Sequence, residues 1–400
     1  MAAVSRRGRR VLWGLVAAGT AIRIVLAFTT DGQPWDIHCF VMVRGALSTH
    51  GLHAYAAIFN GCWSYPPGFF PFMGLAGAGN DLTGLAFTSL IRLPSILADG
   101  AIALIVQDYL GRHGAGERRR LAATAVIALG PSFIVISGFH GQIDNTAILP
   151  AVAALAVWDR APEGRREIYA GALIGLAGAI KVTPLLLVLA LLPHVRSVRS
   201  AAMLLGSAAA VPLLIAAPFA LATPYPFRHA VSYHGYPGTS PLSILLEPSL
   251  ANQMLHGVWP RSGALFLWQH GQVLIPAALL AITGLTWRRA FSPVDRAVLL
   301  YLTFYVVTAS FFFQYLVWGL PFIVMSGRLR LALLLQVVAM PPTLLFYLAP
   351  WKSNAAVPAY GVAMIAFWLV MLGALVYLVG RRPGARPFAG LGRLAERRTA

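Results

Sequence analysis

Long apolar runs alternate in this chain with short clusters of arginine. "VLWGLVAAGTAIRIVLAF", residues 11–28, is preceded by "RRGRR"; the run that begins near residue 84 closes on "GRHGAGERRR", and the run over 359–380 closes on "RRPGAR". Runs of about 20 apolar residues match the thickness of a bilayer core. Backbone groups in lipid must be satisfied internally, which leaves helices or closed barrels, and the absence of strict alternation selects helices. Composition agrees: hydrophobic residues make up 58% of the 400 and charged residues 11%, too few to coat a soluble protein of this size. The chain reads as one all-α polytopic membrane unit over residues 1–400, with no soluble domain.

Arginine sets the orientation. Of 29 arginines, 24 lie at the ends or in short connections, and the positive-inside rule assigns those segments to the cytoplasm. Both termini, with basic tails 1–10 and 381–400, are then cytoplasmic in a multi-pass plasma (inner) membrane protein. The net charge of +18 follows from topology and anionic headgroups, which removes the case for nucleic acid. The first span, with its basic front and no small-residue cleavage site, reads as an uncleaved signal anchor. Spans are expected near 11–28, 84–109, 121–137, 145–158, 201–222, 264–286, 329–348 and 359–380, with a tight hairpin over 297–327. Two long loops, 29–83 and 223–264, face outward. Cys39 and Cys62 share the first; one disulfide and two free thiols are both compatible with that placement.

The stretch "IYAGALIGLAGAIKVTPLLLVLALLPHV" does not fit a single span, because it would put "HVRSVRS" outside. Lys181 and Pro184 divide it into halves too short to cross, so a broken, re-entrant pair is expected, lining a cavity or buried in protein.

Ionisable side chains within such a bundle need a partner or a purpose. Arg92 and Asp99 lie seven residues apart on one helix face, which suits an ion pair; a cation for an anionic headgroup is the other reading of Arg92. Lys181, at the break, is too deep to snorkel and is expected to face a cavity. "HGQIDN" crowds His140, Gln142 and Asp144 between two apolar spans, as a polar cap or as a sugar-binding turn; two ligands without a His/Cys cluster make a poor metal site. Asp36, in "PWDIHCF", has apolar neighbours, and burial there would lift its pKa toward the range of a general base.

In order along the chain stand an Asp in the first outward loop, then "YPPG" (65–68), "RLPSILAD" (92–99), "HGQIDN" (140–145), "GLAGAIKVTPLLL" (175–187) and "FQYLVWGLP" (313–321). This set resembles the bacterial and archaeal membrane mannosyltransferase-like proteins of the GT-C class, over roughly residues 10–350. The resemblance implies a GT-C-type bundle of about ten to thirteen helices with catalytic loops on the extracytoplasmic face. It implies an inverting glycosyltransferase moving a sugar, mannose first, from a polyprenyl-phosphate donor to a glycolipid or polysaccharide acceptor, similar to the mycobacterial phosphatidylinositol mannoside mannosyltransferase. Asp36 maps to the general base. Arg92, Lys181 and His140 are then expected at the donor phosphate, and Gln142, Asp144, Gln314, Tyr315, Tyr65 and His234 at sugar or acceptor. No cofactor and no metal are implied beyond the lipid-linked donor. Many relatives carry Trp where this chain has His140, and the protein-modifying branch has an Asp-Glu pair where Asp36 precedes Ile37.

Two other classes compete. A lipid or sugar transporter or flippase also uses broken helices and intramembrane charges, but it calls for polar features toward both faces and usually for internal repeats. A non-catalytic subunit of an envelope complex would be indifferent to Asp36.

Overall fold

A computed structural model of the chain describes residues 5–58, 62–232, 240–252, 261–348 and 356–381. Among them the regular structure is helical throughout. Six helices are long and apolar enough to cross a bilayer: Arg6–Thr29 (α1), Phe87–Arg112, Glu117–His140, Val198–Ala222, Leu329–Leu348 and Ala356–Gly380. The multi-pass, all-α expectation therefore holds. Residues 1–4 and the basic tail 382–400 lie outside the described residues, whereas Arg6, Arg7, Arg9 and Arg10 open α1.

Where the chain departs from simple spans, it does so around its polar residues. The segment that follows α1 is mostly helical: Pro34–His50 (α2) and Phe70–Thr83 (α3) are tied together by Arg44, which reaches Asp81 at 2.7 Å and Asn80 at 2.8 Å. Cys39 and Cys62 form a disulfide within this segment. The span expected over 145–158 is helix Asp144–Trp158 (α4), whose 15 residues reach only about 22 Å. Most of its side chains are buried against neighbouring helices, so it is a central strut rather than a full crossing. The span expected over 264–286 is bent by 80° between Gly263–Gln269 and Gly271–Thr286.

The broken pair is present. Helix Arg165–Ile180 (α5) stops at Lys181, whose backbone is extended at φ −151° and ψ 130°. Pro184 cannot donate to the carbonyl one turn back, so the chain resumes only as short turns over Thr183–Leu186, Leu187–Leu191 and Leu192–His194. The hairpin over 297–327 resolves into Pro293–Val307 (α6) and Leu316–Met325 (α7). The last two spans, Leu329–Leu348 (α8) and Ala356–Gly380 (α9), pack on each other.

A buried ionic knot fixes the bundle's centre. Arg23 on α1 pairs with Asp99 at 2.8 Å, and both are about 1% exposed. The guanidinium also donates to Ser137 and to the carbonyls of Gly19, Ala128 and Ile127. Asp99 accepts from Ser137 at 2.6 Å and from Asn145 at 2.5 Å. Asp99's partner is thus Arg23, not Arg92 as its helix face suggested. Burying two charges is tolerable only when nearly all their hydrogen-bonding positions are filled, and these are.

Candidate functional site

One short segment organises the site. The turn Ile134–His140 is π-helical, with the Gly141 amide donating to the Ile136 carbonyl at 2.9 Å, and Gly141 reverses the chain at φ +88°. A β-carbon at Gly141 would sit 3.1 Å from both Arg92 and Ile37, so neither the conformation nor the space suits another residue. Arg92, fully buried, donates to the Thr30 carbonyl at 3.0 Å, the Thr30 hydroxyl at 3.2 Å and the Gly138 carbonyl at 3.4 Å. It clamps the end of α1 to the π-turn. Fully buried, Arg92 holds the site from behind through its two terminal nitrogens, while its Nε has no partner among the described residues.

The clamp sets Asp36 opposite His140. Gln33 caps α2, its side chain accepting from the Asp36 amide at 2.7 Å, while its own amide donates to the His140 carbonyl at 3.3 Å; Pro34 opens the helix. Asp36 therefore sits in the first turn, where the helix dipole favours a negative charge. Its Oδ2 lies 2.5 Å from Nε2 of His140. Tyr347, at the end of α8, hydrogen-bonds Nδ1 of the same ring. The His140 side chain is 3% exposed, whereas that of Asp36 is 26% exposed. Burial pushes the Asp36 carboxyl up, but hydrogen bonds from His140 and Gln142 and the charges of His140 and Lys181 outweigh it and hold the pKa below its usual value. The expectation of a raised pKa is overturned: apolar neighbours in sequence are not what surrounds this carboxylate in space.

Five residues on from Trp63 to Gly68, the "YPPG" turn reaches the break in α5. A β-carbon at Gly68 would meet the Ala179 carbonyl at 2.5 Å, so only glycine allows the approach. This brings the Tyr65 ring 4.7 Å from Nζ of Lys181. Trp318 and Tyr315, stacked on each other at 4.0 Å, complete an aromatic cage at 4.9 and 5.5 Å from the ammonium. Tyr305 pins their turn by donating to the Tyr315 carbonyl and accepting from the Gly319 amide, each at 2.7 Å. Lys181 donates to Oδ1 of Asp144 at 2.7 Å, and the Trp318 indole N–H donates to the same carboxylate. A cavity of about 400 Å³ opens beside Lys181. Thr183, Gln272, Thr308 and Ser310 supply its polar wall, and Phe304 and Trp318 its aromatic one.

The structure thus brings together Asp36, His140 and Gln142 as one group, and Lys181, Asp144, Tyr65 and Tyr315 as a second, joined through 140–144. Gln314 is buried nearby in the chain but is not part of either group, and its Oε1, like Oδ2 of Asp144, finds no partner among the described residues. His234 lies outside the described residues. Among the described residues no cluster of His, Cys, Asp and Glu is arranged to hold a metal ion. Trp318 and Tyr347 were missed. Trp318 stands three residues after Tyr315, one helical turn, which was a usable signal; Tyr347 carried none beyond being a tyrosine at the end of an apolar span.

A model of glycosyltransferase family 87 matches residues 63–325. The fold is similar to that of ArnT from Cupriavidus metallidurans bound to undecaprenyl phosphate, at 16% identity and a TM-score of 0.55, covering 94% of this chain and 78% of that one. ArnT from the same organism in the apo state aligns at 16% identity and a TM-score of 0.46, over 92% of this chain and 77% of that one. No curated protein matches the chain. The all-helical GT-C-type bundle expected from the sequence is the fold found.

Proposed function

This chain belongs to glycosyltransferase family 87, and on that premise we propose that it moves a sugar from a polyprenyl-phosphate donor to a glycolipid or polysaccharide acceptor, with Asp36 as general base. The observation that carries this reading is the pairing of a solvent-reachable carboxylate with a caged cation on a single segment, Asp36 through His140 and Lys181 through Asp144. The ArnT of similar fold was crystallised with undecaprenyl phosphate, which supports a lipid phosphate as the donor's carrier.

In this mechanism the acceptor hydroxyl gives its proton to the exposed part of the Asp36 carboxylate as its oxygen attacks the anomeric carbon. The bond from that carbon to the phosphate oxygen breaks with its electron pair, inverting the centre, and polyprenyl phosphate leaves. General-base help of this kind is worth roughly 10² to 10⁴ in rate. Lys181 stabilises the departing phosphate, since its ammonium borders the cavity and its cage keeps it desolvated. His140 has both ring nitrogens engaged and acts by orienting Asp36 rather than by meeting phosphate. The unpartnered oxygens of Asp144 and Gln314 are acceptors of the kind sugar hydroxyls fill. Mannose as the sugar, and an extracytoplasmic site, rest on the resemblance to the mannosyltransferase-like proteins and on the arginine distribution.

The test offers purified protein and Asp36→Asn radiolabelled polyprenyl-phosphate mannose with a total lipid extract, reading label transfer and donor binding separately. Transfer by the wild type alone, with donor bound by both, supports the reading. Equal transfer by both removes Asp36 as the base. No transfer by either, with other sugars tried, removes the donor class.

A further inference from the structure

The opposite end of the bundle carries a second built cavity. Tyr347 and Leu329 end the same helix, α8, so about 27 Å separates this region from the Asp36 group. Here a cavity of about 950 Å³ lies between α8 and α9, at the upper end of the size range of small-molecule sites. Its walls are apolar, Leu334 and Val370 among them, and Gly373 on α9 leaves room where a side chain would protrude. Four arginines ring one end: Arg119, Arg328, Arg330 and Arg381. No acidic side chain lines the cavity among the described residues.

The arginines are not equivalent. Arg328 pairs with Asp295 at 2.5 Å, and Arg119 donates to the Gly327 carbonyl at 2.5 Å, so these two are held in place by the protein. Arg330 is exposed and has no ion pair among the described residues. Positive charge is therefore concentrated at the mouth of an apolar slot, at the level where two membrane-length helices end. At that level a bilayer places its phosphates, and anionic headgroups attract each nearby arginine by about 1 kcal/mol.

The geometry points to a binding site for one anionic diacyl phospholipid, its phosphate among the four arginines and an acyl chain between α8 and α9. A free phosphate would leave the apolar walls bare. The chain's own residues 382–400 are a poor occupant, because they carry five arginines and a single acid, Glu396, and would be repelled by the rim. The inference is independent of the sugar chemistry at the other end.

The test uses the full-length protein in detergent with defined mixtures of phosphatidylglycerol and phosphatidylcholine, counting retained lipids by native mass spectrometry. One phosphatidylglycerol should stay bound where phosphatidylcholine does not. Arg330→Gln should weaken that retention about fivefold. Leu334→Trp, which keeps every charge and fills the slot, should weaken it as well; Leu334 is exposed, so both variants are expected to fold. Inorganic phosphate should not displace the lipid. Equal retention of the two lipids, indifference to both variants, full displacement by phosphate, or binding that appears only after removal of 382–400 would each overturn the assignment.

Discussion

Asp36 and His140 stand 104 residues apart in sequence, and Oδ2 of the one lies 2.5 Å from Nε2 of the other. The Tyr347 hydroxyl hydrogen-bonds Nδ1 on the other side of the ring, so the imidazole is held between the two. The carboxylate also takes a hydrogen bond from Gln142 and keeps 26% of its side chain exposed.

Replacing Asp36 by Asn keeps the shape and removes the base. Transfer should fall by roughly 10² to 10⁴ while donor binding stays within about threefold. Single-turnover label transfer beside equilibrium binding separates the two; a matched loss of both would mean a folding defect instead.

The pH profile tests the same pair. With its pKa held below the usual carboxylate value, Asp36 is ionised at any pH above about 4, so the acid limb of kcat/KM that reports it lies below that point. Burial acts the other way and is restrained by His140. His140→Ala should therefore move the acid limb upward, because a higher pKa loses the base form at a higher pH. An acid limb that does not move would show that His140 does not set the ionisation of Asp36.

Lys181→Met removes the cation beside the cavity. Hydrogen bonds to charged groups are worth about 1.5–3 kcal/mol, so donor affinity should drop roughly tenfold or more. Trp318→Phe, which keeps an aromatic ring beside Lys181 but removes the indole donor to Asp144 and shrinks the cage, should produce a smaller loss in the same direction. Donor titration of both variants at constant thermal stability is the check.

The ionic knot predicts asymmetry in stability. Asp99→Ala leaves Arg23 buried without its counter-charge and should cost about 3–5 kcal/mol. Replacing Arg23 and Asp99 together by leucine should cost clearly less than that single change. Thermal unfolding in detergent of the single and double variants decides it.

Reduction of the Cys39–Cys62 bond, which spans 23 residues, should destabilise the segment that carries α2 by about 3 kcal/mol. Loss of transfer on adding a reductant, matched by the Cys39→Ser variant, would be the readout.

Much of the fold was legible because lipid leaves few choices: apolar length and arginine placement marked most of the crossing helices, and Lys181 with Pro184 marked the break in α5. Partnerships were less so. Arg92 and Asp99 share a helix face, yet Asp99 turns to Arg23, because α1 brings a guanidinium already committed to three carbonyls and a serine. Asp36 looked apolar from its neighbours in sequence, and the groups that lower its pKa arrive from elsewhere in the chain. Tyr347 shows the limit plainly. Its contact with His140 spans 207 residues and depends on where α8 ends, which no local pattern encodes.

The π-helical turn over Ile134–His140 holds one residue more than an α-helix would place in the same rise. Excise that residue and the ladder would close into a regular α-helix, rotating everything beyond it by about 100°. His140 would then swing off Asp36, Asp144 off Lys181 and Asn145 off Asp99. The alignment of base, cation and core thus hangs on a single surplus peptide unit, so that a family member lacking it would have to assemble its site by another route.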